Sequence, residues 1–368
     1  MTSQELYHEA WRLAREVPGS TLPNPPVGAV LVKDGRILAS GAHRGPGQPH
    51  AEIVALDEAH QRGLDVRGAV LYCTLEPCCH TSPGKRTPPC VPRLIQEGIR
   101  EVYIGCADPN PAVAGQGAAQ LSEAGISVHW AADAAPFQDL IREFRVGILE
   151  HRSWVTLKWA QTLDGYAAAP DGSSQWITGL EARTEAHRLR ARCQAVLVGA
   201  GTLRHDNPSL TVRHVEGQQP ARVIWAGHQP LPENSVVFTD EWRESTWILT
   251  QPGTAAWEQA VRLTPGRRLA ANTPAEAVRA LYEVGLGSVL VEGGPQLLTS
   301  FYTQGVWDSL MIFQAPKLLG AGQKALSGTA LSMADARDLR VRQHRVLGKD
   351  LVWELGREGE AEDVHRTH

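Results

Sequence analysis

"GAVLYCTLEPCCHTSPGKRTPPCVPRLIQEG", residues 68–98, begins as an apolar run, breaks into a loop crowded with cysteine, proline and glycine, and resumes as a helical pattern. The first run, bounded by turn residues, predicts a buried strand that ends at the loop. The last predicts a helix opened by Cys90. Residues 74–90 between them hold three of the chain's six cysteines, one histidine and five prolines and glycines. Such a segment cannot be a regular helix or strand, so its thiols need another reason to lie together. A bound metal supplies one. A disulfide does so poorly: "MTSQELYHEAWRLAREV" at the start reads as an amphipathic helix without the basic start and apolar run of an export signal. The expected setting is a reducing cytoplasm.

Working outward, the same alternation of strand and helix recurs. "NPPVGAVLVKDGRILASGAH" carries two apolar runs across Asp34-Gly35, a hairpin signal. "HAEIVALDEAHQRG" predicts a helix, "EVYIGCADP" a strand, "GAAQLSEAG" a helix and "ISVHWA" a strand. After about residue 150 the series restarts with the strand "WVTLKWAQTLDG" and the helix "TGLEARTEAHRLRARC", followed by "AVLVGAGT", read as a strand ending in glycines. Further on come "ARVIWAG", "STWILT", "TPAEAVRALYEVG", "SVLVEGGPQLLTSFYTQG", "SLMIFQAPKLLG" and a final strand in "HRVLGKDLVWELG". The expected class is α/β with partly parallel pairing, in two domains, 1–147 and 151–357, joined through "RVGILEHRS". Residues 358–368 have no apolar face and are expected to be a mobile tail.

Composition narrows the function. Of the 368 residues 42% are apolar and 21% charged, which is globular. The net charge of −4 gives no cationic field for nucleic acid, and no apolar run approaches the ~18 residues that would span a membrane.

Adding "PHAE" at 49–52 completes a metal site. A catalytic zinc takes three N/S ligands and keeps a fourth position for water. His50, Cys78 and Cys90 supply an imidazole and two thiolates, and Glu52 stands two residues from the histidine as a proton shuttle. His-x-Glu with Pro-Cys and a later Cys is the signature of zinc nucleobase deaminases. His80 is the alternative fourth ligand that would close a structural site instead. Cys73, Cys106 and Cys193 sit in apolar patterns and are expected to be packed thiols. Eleven residues separate Cys78 from Cys90, where common deaminases have two; loop closure tolerates this, because its cost grows slowly with length.

In their order, "PNPPVGAVLVKDG", "PHAE", "TLEPCCH", "RTPPC" and "DPNP" resemble the deaminase half of the bifunctional riboflavin-biosynthesis deaminase–reductases. That family's loop carries serine where this chain has Cys79, and here three additional residues precede Arg86-Thr87. "LKWAQTLDG", "SSQWITG", "GTLRHDNPSLTVR", "VEGGPQLL" and "APKLLG" resemble the reductase half. The resemblance implies a cytidine-deaminase-like α/β/α domain followed by a dihydrofolate-reductase-like α/β domain. It also implies Zn2+ and NADPH as cofactors, a pyrimidine ribotide as substrate, and a homo-oligomer.

Residue by residue, the resemblance implies that Asn24 and His43 hold the pyrimidine and that Arg86, or Lys85, reaches its phosphate. Ser174, Arg190, Leu210, Arg213 and Glu292 would contact the second substrate. Ala160, Trp176, Thr202, Asp206 and the loop Gly294, Pro295, Gln296, Leu297, Leu298, Thr299 and Ser300 would line NADPH. Lys158 and Asp206 are the candidates for catalytic help. Ala226 stands where a serine commonly faces the cofactor. Taken without the family, the glycine pairs after the two strands are turn signals with a phosphate-binding alternative. Two rivals are a nucleic-acid-editing deaminase, which needs a basic groove, and a non-enzymatic nucleotide-binding relic, which needs no shuttle acid.

Overall fold

The computed structural model describes residues 1–17, 20–81, 87–111, 113–327 and 332–357, so the 358–368 tail lies outside the described residues. The backbone divides into two units, Met1–His151 and Arg152–His368, each with its own sheet and core.

In the first unit, α1 (Ser3–Arg15) starts on a capping box between Thr2 and Glu5. β1 (Gly28–Lys33) and β2 (Arg36–Ala42) form the hairpin, with φ of 50° at Asp34 and 72° at Gly35, the pair of positive values that Asp-Gly accepts. Then come α2 (Ala51–Gln61), β3 (Val70–Leu75), α3 (Cys90–Gln96), β4 (Glu101–Cys106), α4 (Gln116–Glu123) and β5 (Ser127–Trp130). The sheet order is β2-β1-β3-β4-β5, antiparallel up to β3 and parallel beyond it. Leu31, Leu56, Leu71, Leu94, Ile104 and Leu121 fill its core. A Cβ at Gly28 would stand 2.0 Å from the Ala10 carbonyl oxygen, so glycine lets α1 lie directly on β1. The segment expected to join the domains is helical: α5 (Ala135–Leu140) leads into α6 (Arg142–Glu150), and the chain turns at His151 with φ of 51°.

The second unit runs β6 (Trp154–Thr162), β7 (Tyr166–Ala168), α7 (Leu180–Arg192), β8 (Ala195–Gly199), α8 (Ala200–Asp206), β9 (Ala221–Gly227), α9 (Val236–Thr239) and β10 (Thr246–Thr250). After these come α10 (Ala255–Leu263), β11 (Arg268–Ala270), α11 (Pro274–Glu283), β12 (Ser288–Val291), α12 (Pro295–Thr303) and β13 (Ser309–Ala315). The described chain ends with β14 (Gln323–Lys324), β15 (Leu339–Leu347) and β16 (Asp350–Arg357). "AVLVGAGT" is therefore not all strand: the helix has begun by Ala200, and Gly201 and Thr202 belong to it. The final strand is likewise one arm of a hairpin, β15–β16.

Nine strands are ordered β11-β10-β9-β8-β12-β6-β13-β16-β15, parallel from β11 to β13 and antiparallel at the β16–β15 edge. From β8 the chain leaves through α8 to β9 on one side, and from β12 through α12 to β13 on the other. Such a reversal opens a crevice at the carboxyl ends of the strands, where open α/β sheets bind ligands. Among the described residues no helix is long and apolar enough to cross a membrane.

Candidate functional site

Three ligand atoms meet where α2 and α3 begin and β3 has just ended. His50 is the N-cap of α2, Cys90 the first residue of α3, and Cys78 lies in the loop after β3. His50 Nδ1 is 3.4 Å from Cys78 Sγ and 3.3 Å from Cys90 Sγ, and the sulfurs are 3.7 Å apart. On a tetrahedral zinc, two thiolates and an imidazole stand about 3.6–3.8 Å from one another. The triangle fits that ion with a fourth position left over. It is the only His/Cys/Asp/Glu group with metal-ligand spacing among the described residues, and neither Cys79 nor His80 is in it. Cys79 packs against the core, and no disulfide joins any of the six cysteines.

Local bonds hold the triangle. The Cys90 N–H donates to the Cys78 carbonyl at 2.9 Å and lies 3.4 Å from its sulfur. Thr87 Oγ1 is 3.0 Å from His50 Nε2. With Nδ1 turned to the sulfurs, Nε2–H donates to that hydroxyl and fixes the ring. Thr87 is absent from the predicted site, although a metal-bound histidine needs a partner for its second nitrogen and the loop offers a hydroxyl just ahead of Cys90.

Glu52 sits in the first turn of α2, only 3% exposed. Burial raises its pKa, opposed by the neighbouring His50, and its carboxyl reaches the Cys90 thiol. A carboxyl with raised proton affinity beside a water position can take up a proton and pass it on.

His43 is buried, with Nδ1 3.0 Å from the Pro49 carbonyl and Nε2 2.9 Å from Asn24 Nδ2. Nδ1–H therefore donates to Pro49, Nε2 accepts from the Asn24 amide, and burial lowers the ring's pKa. Both ring nitrogens are spent on protein partners. The Asn24 amide is thereby held against the His43 ring. Arg86 and Lys85 lie outside the described residues.

Nothing in the local pattern singles out Glu76, yet its buried carboxylate accepts four backbone N–H groups. Asp108 and Gly115 donate to one oxygen at 3.3 and 2.9 Å, Gly117 and Ala118 to the other at 2.9 and 3.1 Å. These bonds tie the loop containing "DPNP" to the end of β3, beside the ligand loop.

In the second unit the crevice ends carry the charges. Arg190 on α7 forms a fork on Glu292, just past β12, through Nε at 2.9 Å and Nη2 at 2.7 Å, while Lys158 Nζ on β6 is 3.8 Å from the same carboxylate. Burial acts to raise the Glu292 pKa, but Arg190 and Lys158 prevail and take it down to about 2. Burial lowers the Lys158 pKa, against the pull of Glu292. His187 is a further residue that sequence did not single out: burial, then Arg190 and His214, push it down to about 4. The neutral ring accepts the Arg213 backbone N–H at Nδ1, at 3.3 Å.

The other predicted residues are spread more widely. The Arg213 guanidinium lies on Ser209. The Leu210 side chain is buried in the core, at a φ of 57°, so only its backbone can meet a ligand. Ser174 is exposed, and so is Trp176, 61% exposed beneath the Arg183 guanidinium. Ala160 packs at the edge of a small core cluster, and Asp206 is exposed at the end of α8. Thr202 Oγ1 accepts the Gly294 N–H at 3.1 Å, joining the two strand ends. Residues 295–300, expected as a loop, are instead the first turns of α12 with Gly294 as its N-cap; Leu298 faces the core, Gln296 is exposed, and Pro295, Leu297, Thr299 and Ser300 are half-buried. A Cβ at Gly294 would meet nothing nearer than Thr202 Oγ1 at 3.5 Å, and one at Gly201 nothing within 4 Å. The protein itself does not require these glycines. The space over them suits a group that lies on the backbone, as a dinucleotide does.

Comparison with known proteins agrees with this geometry. Residues 1–106 match the cytidine and deoxycytidylate deaminase zinc-binding region, and residues 153–353 match the RibD C-terminal domain. The riboflavin biosynthesis protein RibD of Aquifex aeolicus is 39% identical over 93% of this chain and 95% of its own. The chain belongs to the RibD family. Acinetobacter baumannii RibD superposes with a TM-score of 0.85 at 31% identity, over 96% of this chain and 98% of that one. A diaminohydroxyphosphoribosylaminopyrimidine deaminase/5-amino-6-(5-phosphoribosylamino)uracil reductase from Thermotoga maritima does so with a TM-score of 0.82 at 34% identity and the same coverage. This chain is accordingly a bifunctional enzyme of riboflavin biosynthesis, a zinc-dependent deaminase joined to an NADPH-dependent reductase that acts on a small molecule.

Proposed function

We propose that the first unit hydrolyses the ring amine of 2,5-diamino-6-(5-phosphoribosylamino)pyrimidin-4-one, and that the second reduces the ribosyl group of the product to ribityl. The observation that carries the reading is the His50–Cys78–Cys90 triangle with Glu52 buried against it. Zinc held there would supply a water of lowered pKa. Glu52 is placed to take a proton from water and deliver it to the ring nitrogen and the departing ammonia, so that one water is consumed for each ammonia released. Asn24, aimed by His43, holds the pyrimidine edge, and Arg86 is assigned to the phosphate.

In the second unit, bound NADPH would supply the hydride for C1 of the opened sugar imine, whose nitrogen then needs one proton. Lys158, with its proton affinity lowered by burial, is the donor candidate; Glu292, itself gripped by Arg190, holds it in place. Arg213 suits the substrate phosphate because a guanidinium offers a bidentate fork. Ser174 and the Leu210 backbone complete the substrate side. Ala160, Trp176, Thr202, Asp206 and residues 294–300 line the cofactor. The domains take the bounds 1–147 and 151–357. The enzyme is a cytoplasmic homo-oligomer that binds neither membrane nor nucleic acid, and for nucleic acid the net charge of −4 supports this.

Chelation tests the division of labour. Zinc removal should stop ammonia release while reduction of supplied deaminated substrate continues. Equal loss of both activities with the fold intact would contradict two independent sites. Gly294→Val tests the cofactor loop: the fold has room for the new side chain, so NADPH affinity should fall about tenfold or more as the backbone approach is lost. Zinc content and deamination should not change. Unaltered NADPH affinity would leave Gly294 a mere turn residue.

A further inference from the structure

Between α8 and β9 the chain passes through residues 209–213, which lie outside any strand and carry two of the expected substrate contacts, Leu210 and Arg213. The backbone there is nonetheless paired as a strand would be, but by side chains. The Val212 N–H donates to Gln219 Oε1 at 2.8 Å, and the Val212 carbonyl accepts from Gln219 Nε2 at 3.0 Å. One primary amide thus brings both the acceptor and the donor of a neighbouring strand. The flanking residues turn to the opposite edge, as alternate residues of an extended chain do. There α7 meets them: Arg190 Nη1 donates to the Thr211 carbonyl at 3.1 Å, and the Arg213 N–H donates to His187 Nδ1 at 3.3 Å. His187 and Arg190 are three residues apart and share a helix face. Buried Arg222 on β9 donates to the Ser209 carbonyl at 3.2 Å and holds the other end of the stretch. His187 accepts only as a neutral ring, which its pKa of about 4 ensures. Outside this frame the Arg213 side chain is exposed, its guanidinium on the neutral hydroxyl of Ser209.

We infer that His187 and Gln219 are positioning residues of the reductase, holding the backbone at Val212 and Arg213 so that the Arg213 guanidinium stands ready for the substrate phosphate. The inference rests on the assignment of that phosphate to Arg213. Both residues act through the backbone of the stretch and not on the ligand. An arginine whose backbone is already fixed loses less freedom when the anion arrives, so the gain lies in substrate binding and not in hydride transfer.

The test is steady-state reduction by the full-length chain, at saturating NADPH, of the deaminated ribotide and of the same compound without its phosphate. His187→Leu and Gln219→Leu should each raise KM for the ribotide about tenfold, with kcat within about twofold of wild type. KM for the dephosphorylated compound, NADPH affinity and zinc content should not move. His187→Asn, whose amide oxygen can stand in for Nδ1, should recover most of the loss. In an Arg213→Ala background neither leucine variant should weaken the ribotide further, since both act through that arginine. Gln219 lies in the loop ahead of β9, so its variant carries the test if His187→Leu does not fold. Equal loss with both compounds, or a fall in kcat at unchanged KM, would mean that the two residues only maintain the fold, and would overturn the inference. A ribotide KM raised by Arg213→Ala but untouched by the leucine variants would overturn the positioning role alone. If Arg213→Ala itself left that KM unchanged, the phosphate assignment would fall and the inference with it.

Discussion

Cys78→Ser and Cys90→Ser should each lose zinc and deamination, while Cys79→Ser keeps both. Three thiols crowd one loop, but neighbouring side chains on extended backbone point in different directions. The sulfurs of Cys78 and Cys90 approach to 3.7 Å with His50 Nδ1 across from both, whereas Cys79 packs on the core. Serine is a poor zinc ligand at neutral pH, so loss of either thiolate removes the ion and with it the activated water. Metal content per chain in the three purified variants is the measurement. A zinc-free Cys79→Ser beside a zinc-replete Cys78→Ser would show that the lengthened loop has moved the ligand by one residue.

Glu52→Gln should keep its zinc and lose deamination by about 10²–10⁴-fold. The change preserves size in a fully enclosed position, and Glu52 is not one of the three ligands. What disappears is the carboxyl placed against Cys90 that can carry a proton from water to leaving group. Zinc content and the rate of ammonia release should therefore separate. Near-normal ammonia release in the zinc-loaded variant would mean that another group moves the proton.

How much of this was legible in the chain depended on whether a feature is local. β3 and β8 are apolar runs bounded by turns, and the β1–β2 hairpin announces itself through Asp34-Gly35, so the alternation reads directly. β15 does not: Arg340, Arg342 and Arg345 interrupt its pattern, as charged side chains commonly do on an exposed edge. The metal ligands were legible because their residue types and order have a single chemical use. Glu76, Thr87 and His187 were not, since each acts on a partner delivered by another part of the chain: the N–H groups around α4, the His50 ring and the Arg213 backbone. Leu210 is the converse case. Its place in a motif marks the position, yet its side chain belongs to the core.

The account rests on two chemistries acting in order on one small molecule. The measurement that tests it most directly supplies the diaminopyrimidinone ribotide together with NADPH, and follows ammonia and NADPH in the same reaction. One ammonia should be released for each NADPH oxidised, ammonia should lead, and chelation should abolish both signals from this substrate. NADPH oxidised at the full rate with no ammonia released would contradict the account.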